Sequence, residues 1–201
     1  MAKVKLTKNE LKAQRDALSR FTRYLPTLQL KKQQLQMETQ KARREIRDLE
    51  EDEKKYRKSL AEWIHLLNEK HGEKINDLIK VKSMQVSRRN IAGVDTPVLD
   101  DLVFEEPEMD LFATPSWYDD ALETVRKLAE FRLKHQILEE RLQALEDELR
   151  TTTQRVNLFE KVKIPEAREN IRVIQIYLGD QQTAAVGRAK IAKRKTQALQ
   201  Q

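Results

Sequence analysis

The sequence contains no cysteine, only four glycines and five prolines among 201 residues, and aromatic side chains make up 5% of it. The lack of cysteine excludes disulfide frameworks, thiolate zinc sites and cysteine-based redox or nucleophilic chemistry. With so few glycines there is no phosphate loop of the Walker kind and no GxGxxG element, which removes the usual sequence basis for nucleotide binding. Scarce breakers and scarce aromatics argue against a compact core of many short elements and for long helices. No apolar run reaches the roughly 18 residues that a membrane-spanning helix needs, and the start has no signal-peptide pattern. The expectation is a cytoplasmic chain that does not itself insert into a membrane.

Charge is what the sequence has in abundance, at 36% of residues, with 39 Lys and Arg against 33 Asp and Glu. It is unevenly placed, with a net +7 over residues 1–80, −6 over 81–120 and +5 over 121–201. So much charge also fits disorder, and a sustained apolar repeat is what decides against it. In a heptad frame with a at Leu11 and d at Gln14, the core slots of the first arm read Leu11, Leu18, Phe21, Leu25, Leu28, Leu35, Ala42, Ile46, Leu49, Tyr56, Leu60, Trp63 and Leu67. Thirteen of 18 slots are therefore apolar, a coiled-coil signal. The exceptions, Gln14, Lys32, Thr39, Glu53 and Lys70, cost stability and help to fix register. At the α-helical rise this arm would span roughly 85 Å.

A second arm repeats the pattern at Leu128, Phe131, Leu138, Leu142, Leu145, Leu149, Thr152, Val156 and Phe159. Beyond Pro165 the stripe changes phase, to Ile171, Ile174 and Leu178. A proline inside a helix removes a hydrogen bond and crowds the preceding turn, so a kink or restart is expected near Ile164. Pro26 predicts a bend in the first arm, not an end, because the repeat continues through Leu28 and Leu35.

Between the arms, Met84, Val86, Ile91, Val94, Val98, Leu99, Leu102 and Val103 are interleaved with Asn90, Gly93, Asp95, Pro97 and Pro107. Short β-branched runs broken by Asn, Gly and Pro read as a small hairpin or loop pair. This middle is acidic, and it is either a solvated turn region or a docking surface whose apolar residues a small hairpin cannot bury alone. Thr114-Pro115-Ser116-Trp117 reads as the helix restart, with Ser116 as N-cap and Asp119, Asp120 and Glu123 near the positive end of the helix dipole.

The resulting fold class is all-α: a long antiparallel two-helix coiled coil of the N- and C-terminal helices, with a short β-hairpin or loop region between. The expected segments are 1–82 (first long helix), 83–115 (acidic middle) and 116–201 (second long helix). Folded back in this way, both termini would form a basic tip and the middle an acidic one, inviting different partners at each end. At the basic tip Lys3, Lys5, Lys8, Lys12 and Arg15 would face Arg188, Lys190, Lys193, Arg194 and Lys195. Such a cluster is open to three readings: a solvated face, loose nucleic-acid attraction, or a fit to an acidic protein socket. No aromatic in either tail is placed to stack on bases. The stretch Thr183–Ala192 is rich in small residues, which would make a slim helix, although alanine is also simply the best helix former.

No catalytic constellation emerges. His65, His71 and His135 are scattered, and the acid pairs Asp100/Asp101 and Glu105/Glu106 lack a pocket-forming fold. Asn68, His71 and Gly72 mark a loosening of the first arm. No catalytic residue, cofactor site or metal site is expected.

Several segments go beyond a generic coiled coil. Leu6-Thr7-Lys8-Asn9-Glu10-Leu11, Arg23-Tyr24-Leu25-Pro26-Thr27-Leu28-Gln29-Leu30-Lys31-Lys32, Arg155-Val156-Asn157-Leu158-Phe159-Glu160-Lys161 with Ile164-Pro165, and the closing stretch Asp180–Lys195 closely resemble the D subunit of the V-type (vacuolar/archaeal-type) ATP synthases, in their bacterial branch. The resemblance covers both arms and is weaker over 83–115. It implies a non-catalytic central rotor shaft, peripheral to the membrane. Its paired terminal helices would enter a hexamer of A and B subunits, and its middle end would bind the F subunit and rest on the C subunit above the membrane ring. Carried onto this sequence, it implies that Lys8, Arg15, Arg188, Lys190 and Lys193 face the hexamer and that Leu99, Leu102, Val103 and Phe104 lie near the foot. The coupling ion, proton or sodium, is a property of the ring. The rival readings are a cytoplasmic coiled-coil tether or scaffold and a nucleic-acid binder that uses the basic tip. A gamma subunit of the F-type is disfavoured, since its middle is a substantial α/β domain.

Overall fold

A computed structural model describes residues 4–60, 80–105 and 118–199, with side chains as far as residue 197. The element order is helix α1 (Lys8–Ser59), strands β1 (Val81–Ile91) and β2 (Val94–Phe104), helix α2 (Tyr118–Leu158), a π-helical turn (Phe159–Lys163) and helix α3 (Ile164–Leu199). The chain is mostly helical, as its periodicity predicts, and its two strands form one antiparallel hairpin. Two compact units divide it: Met1–Lys32 with Thr151–Gln201, and Gln33–Arg150. The expectations for Lys3, Trp63, His65, Leu67, Asn68, Lys70, His71, Gly72, Glu106 and Pro107, and for the restart at 114–117 with Ser116 as N-cap, lie outside the described residues.

α1 starts where Thr7 accepts a hydrogen bond from the Glu10 amide at 3.2 Å on its hydroxyl oxygen, while its carbonyl accepts from the Leu11 amide at 3.0 Å. Thr7-Lys8-Asn9-Glu10 has the Thr-x-x-Glu spacing of a capping box, and such a cap contributes about 1 kcal/mol. That spacing is a local signal, separate from the heptad repeat. Pro26 then sits inside the 52-residue helix. It deprives the Thr22 carbonyl of one bond, and α1 continues on both sides of it.

In the first unit α1 runs antiparallel to the chain that follows residue 150. Phe21 meets Phe159 with ring centroids 5.1 Å apart. Gln14, Ala17 and Phe21 line one groove together with Lys163, Glu166, Ala167 and Asn170. The buried or partly buried stripe runs Thr152, Val156, Phe159, then Ile164, Ala167, Ile171, Ile174 and Leu178. Its steps alternate between three and four residues except for one step of five, from Phe159 to Ile164. An unbroken α-helix would have centred the seam on Lys163, which instead stays partly buried at its edge. The π-turn accounts for the difference: the Ile164 amide bonds back to the Phe159 carbonyl, five residues earlier, so one extra residue is absorbed and the stripe stays on one face. Neither a break nor a restart is needed: Pro165 lies inside a continuous helical run, where it removes one backbone hydrogen bond.

In the second unit α1 and α2 are also antiparallel. Arg43 pairs with Glu146 at 2.6 Å, Arg141 with Glu45 at 3.0 Å, and Tyr56 lies 6.0 Å from Phe131, ring to ring. The Lys127 ammonium sits 4.9 Å from the centre of the Tyr56 ring. Leu35, Ala42 and Leu145 are fully buried, and burial of each leucine contributes roughly 1.5–3 kcal/mol. Thr39, a polar residue in a core slot, is buried and satisfies its hydroxyl by donating to the Leu35 carbonyl at 2.8 Å.

The hairpin lies along this helix pair. Ile91, Ala92 and Val94, at and beside the turn, pack on the Leu35–Ala42–Leu145 cluster. Pro97, Val98 and Leu99 share a cleft with Leu49, Ile137 and Leu138. At the open end the Glu105 carbonyl accepts from Arg126 of α2 at 2.8 Å. A lone two-stranded hairpin is marginal in water, and the helices supply the apolar surface it lacks. The turn is a two-residue turn with φ 52° at Ala92 and 81° at Gly93, positive at both positions as a type I′ turn requires. Asn90 supports it, its side-chain oxygen accepting from the Gly93 amide at 3.1 Å.

Candidate interaction surfaces

The clefts of the second unit are joints between its elements. The larger, of about 530 Å³, is lined by Glu50, Glu53, Arg57, Val125, Leu128, Ala129, Arg132 and His135. Several of its polar groups pair with neighbours: His135 lies 3.3 Å from Glu50 and 3.5 Å from Glu139, and Glu53 lies 2.8 Å from Arg57. The smaller, of about 400 Å³, separates β2 from the helices and contains Arg141. The Arg141 side chain is only 13% exposed and reaches both Glu38 and Glu45 across the seam. A bridge to two carboxylates fixes the register of α1 against α2 more than it adds stability, because desolvation offsets much of the attraction. Among the described residues no group of His, Cys, Asp and Glu could hold a metal ion.

Three exposed groups have displaced titration. Hydrogen bonding to Arg172 holds the Glu169 carboxyl below its usual range, and the same bond raises the Arg172 guanidinium. Asp52 raises the Lys55 ammonium, by its hydrogen bond first and its charge second. These are pairs within one helix, and they strengthen local helical structure.

Of the residues expected at a basic tip, Lys8 and Arg15 on α1 and Arg188, Lys190 and Lys193 on α3 are exposed, and Lys3 lies outside the described residues. They are not drawn into a single patch. In the antiparallel register set by Gln14–Phe21 against Lys163–Asn170, Lys8 falls roughly level with Ile176. Arg188, Lys190 and Lys193 therefore lie beyond the start of α1. Every residue from Gly179 to Gln197 is exposed, with Val186 at 57% and Ile191 at 59%. Among the described residues, nothing packs against this part of α3. Ala184, Ala185, Ala189 and Ala192 keep it slim, and Arg188, Lys190, Lys193, Arg194 and Lys195 make it cationic.

The residues expected near a foot all fall on β2. Leu99 is partly covered in the cleft against Leu49 and Ile137, Leu102 and Phe104 are partly buried, and Val103 is 39% exposed. Leu102 stands opposite Met84, and Leu99 opposite Val86, so aliphatic groups adjoin across the strands. The summed charge of residues 81–120 hid a division that the hairpin makes plain. β1, with Lys80 before it, carries Lys82, Arg88 and Arg89 and no acid; β2, with Glu105 after it, carries Asp95, Asp100 and Asp101 and no base.

Comparison with known proteins places these surfaces in context. Residues 10–194 match the family of the ATP synthase D subunit. A V-type ATP synthase D subunit from Borreliella burgdorferi is 47% identical over 193 residues, which cover 96% of this chain and 95% of that protein. Proteins of the same description from Chlamydia abortus and from Chlamydia trachomatis serovar L2 are each 35% identical over 197 residues, covering 98% of this chain and 95% and 97% of theirs.

Proposed function

Given that the chain belongs to the ATP synthase D-subunit family, we propose that it is the central-stalk rotor of a V-type ATP synthase or ATPase. In this role it transmits rotation between the ion-driven membrane ring and a hexamer of A and B subunits, and so couples ion transport to ATP synthesis or hydrolysis. It performs no bond chemistry itself. Its partners are the A and B subunits around the terminal helices, the F subunit beside the stalk and the C subunit on the ring side. It works on the cytoplasmic face, peripheral to the membrane. Among the described residues no helix is long and apolar enough to cross a membrane.

The observation that carries this reading is the unpartnered end of α3. A single helix exposed on all sides from Gly179 to Gln197 gains little from intrinsic propensity alone. A surrounding socket would supply the missing contacts. Slim alanine-rich turns let such a socket close around the helix, and Arg188, Lys190 and Lys193, with Lys8 and Arg15 nearer the start of α1, would meet acidic groups lining it. Leu99, Leu102, Val103 and Phe104 belong, in the same reading, to the surface that meets the stalk foot. A rotor is driven by torque at such contacts, so the functional residues are interface residues.

The test is reconstitution. An A–B hexamer with the intact chain should be captured as a stable complex and show altered, rotation-coupled ATP hydrolysis. Removal of residues 179–201, or charge reversal at Arg188, Lys190 and Lys193, should abolish capture while the rest of the chain keeps its helical circular dichroism. Equal capture of the intact and truncated chains would refute this placement of α3. Failure of the intact chain to bind the hexamer or a small protein like the F subunit would leave a coiled-coil tether as the better reading.

A further inference from the structure

The sheet has two strands, so β1 has one edge with no partner strand among the described residues. Every residue of β1 from Val81 to Asn90 is exposed, including the apolar Val81, Met84 and Val86 at 41–48%. The strand is 11 residues long, twice a common strand length. A long edge with exposed aliphatic groups is a ready template for another chain. Its charges restrict what that chain can be. With Lys82, Arg88 and Arg89 and no acid on β1, antiparallel pairing of two β1 edges would set like charges against each other, so a second copy is disfavoured. A nucleic-acid strand is also a poor fit. No aromatic on β1 offers a stacking platform for bases.

We propose that the outer edge of β1 is a docking site for an extended, acidic polypeptide segment of a partner protein, which adds as a third strand to the hairpin. Backbone hydrogen bonds hold the segment and Lys82, Arg88 and Arg89 select its acidic side chains. Met84, Val86 and Arg88 share one face of the strand and Ser87 and Arg89 the other, so the added strand presents apolar residues opposite Met84 and Val86 and acidic residues opposite both Arg88 and Arg89. Two bulges leave the first half of the strand irregular: Lys82 is the extra residue between the pairs Val81–Phe104 and Ser83–Val103, and Asp100 the extra residue opposite Gln85–Val86. The segment from Val86 to Asn90 pairs with β2 without a shift, so the added strand is anchored there. The proposal rests on the hairpin alone and stands or falls separately from the rotor reading.

The experiment is a titration of the full-length chain with synthetic octapeptides, followed by backbone amide exchange in β1. The probes are a Glu-Val peptide, Thr-Glu-Glu-Thr-Val-Thr-Val-Thr, which in antiparallel register sets its two glutamates opposite Arg89 and Arg88 and its valines opposite Val86 and Met84, the same peptide N-methylated at alternate residues, its counterpart with lysine for both glutamates, and a single-stranded oligonucleotide. The expected result is slowed exchange on alternate amides of Val86–Asn90 with the Glu-Val peptide and with none of the other three. The doubly reversed variant Arg88→Glu/Arg89→Glu alters only exposed side chains, and it should bind the Glu-Val peptide at least about tenfold more weakly, since two favourable cross-strand charge pairs become repulsive. Its unchanged circular dichroism would show that the fold survives. Undiminished binding of the N-methylated peptide would show that charge alone holds the ligand and overturn strand addition. Preferential binding of the oligonucleotide, or no protection of β1 by any probe, would overturn it as well.

Discussion

Phe21 of α1 and Phe159, the first residue of the π-turn, meet with ring centroids 5.1 Å apart and planes inclined at 50°. The pair sits where the buried stripe is about to skip a residue, and it marks the last position before the change of phase. Both rings are half-buried. Phe159→Ala is expected to destabilise the chain by about 2–3 kcal/mol, below the 3–5 kcal/mol typical of a fully buried ring. A double-mutant cycle with Phe21→Ala should return a coupling of about 0.5–1.5 kcal/mol. Urea denaturation of the four proteins measures both.

The π-turn exists because of the residue count, not because of the proline beside it. Pro165→Ala is therefore expected to leave the Phe159–Lys163 turn in place, visible in backbone carbon shifts. Deletion of Val162 together with Pro165→Ala should convert the turn to continuous α-helix with Ile164, Ala167 and Ile174 still buried. Deletion of Gln175 instead would rotate Leu178 out of the seam and lower stability with no gain in regularity.

Thr39 occupies a core slot, and its hydroxyl binds a carbonyl already engaged in the helix. Thr39→Val exchanges that modest bond for apolar contact and should stabilise the chain by up to about 1 kcal/mol. Thr39→Asp, which buries a charge beside Leu35 and Ala42, should lower the midpoint of unfolding sharply. Thermal melts of the two variants have opposite signs under this account.

The hairpin turn separates two effects on adjacent residues. Ala92 has φ 52° and packs on the buried cluster. Ala92→Gly relieves about 1 kcal/mol of backbone strain and loses about 0.8 kcal/mol of methyl burial, so the net change should be near zero. Gly93, with φ 81°, has no such compensation, and Gly93→Ala should cost about 1–2 kcal/mol. Amide exchange at Asn90 and Asp95 reports the loss.

Glu169 should titrate below an ordinary glutamate near 4.3, because it accepts hydrogen bonds from Arg172. A depressed folded-state value means that the pair contributes above the unfolded carboxyl value and loses its contribution as pH falls through the folded one. Both side chains are exposed, so the effect on stability is small. Carboxyl carbon shifts followed through the titration should move back toward the ordinary value in Arg172→Gln.

The sequence by itself determined the elements whose causes are local. Leu11 to Leu60 and Leu128 to Phe159 repeat every few residues, so the long helices were legible from spacing. Asn90, Gly93 and Pro97 among short β-branched runs marked a small hairpin or loop pair, and the change of stripe after Pro165 marked the place of the phase correction. Tertiary structure decided the rest. That Ile91 and Val94 pack on Leu35 and Leu145, that Arg141 bridges Glu38 and Glu45, and that Arg188 to Lys193 lie beyond the start of α1 all depend on partners distant in sequence. Periodicity states which face of an element seeks burial. Only the folded chain sets which surface covers it, because apolar burial is non-directional and register is chosen by the sum of many distant contacts.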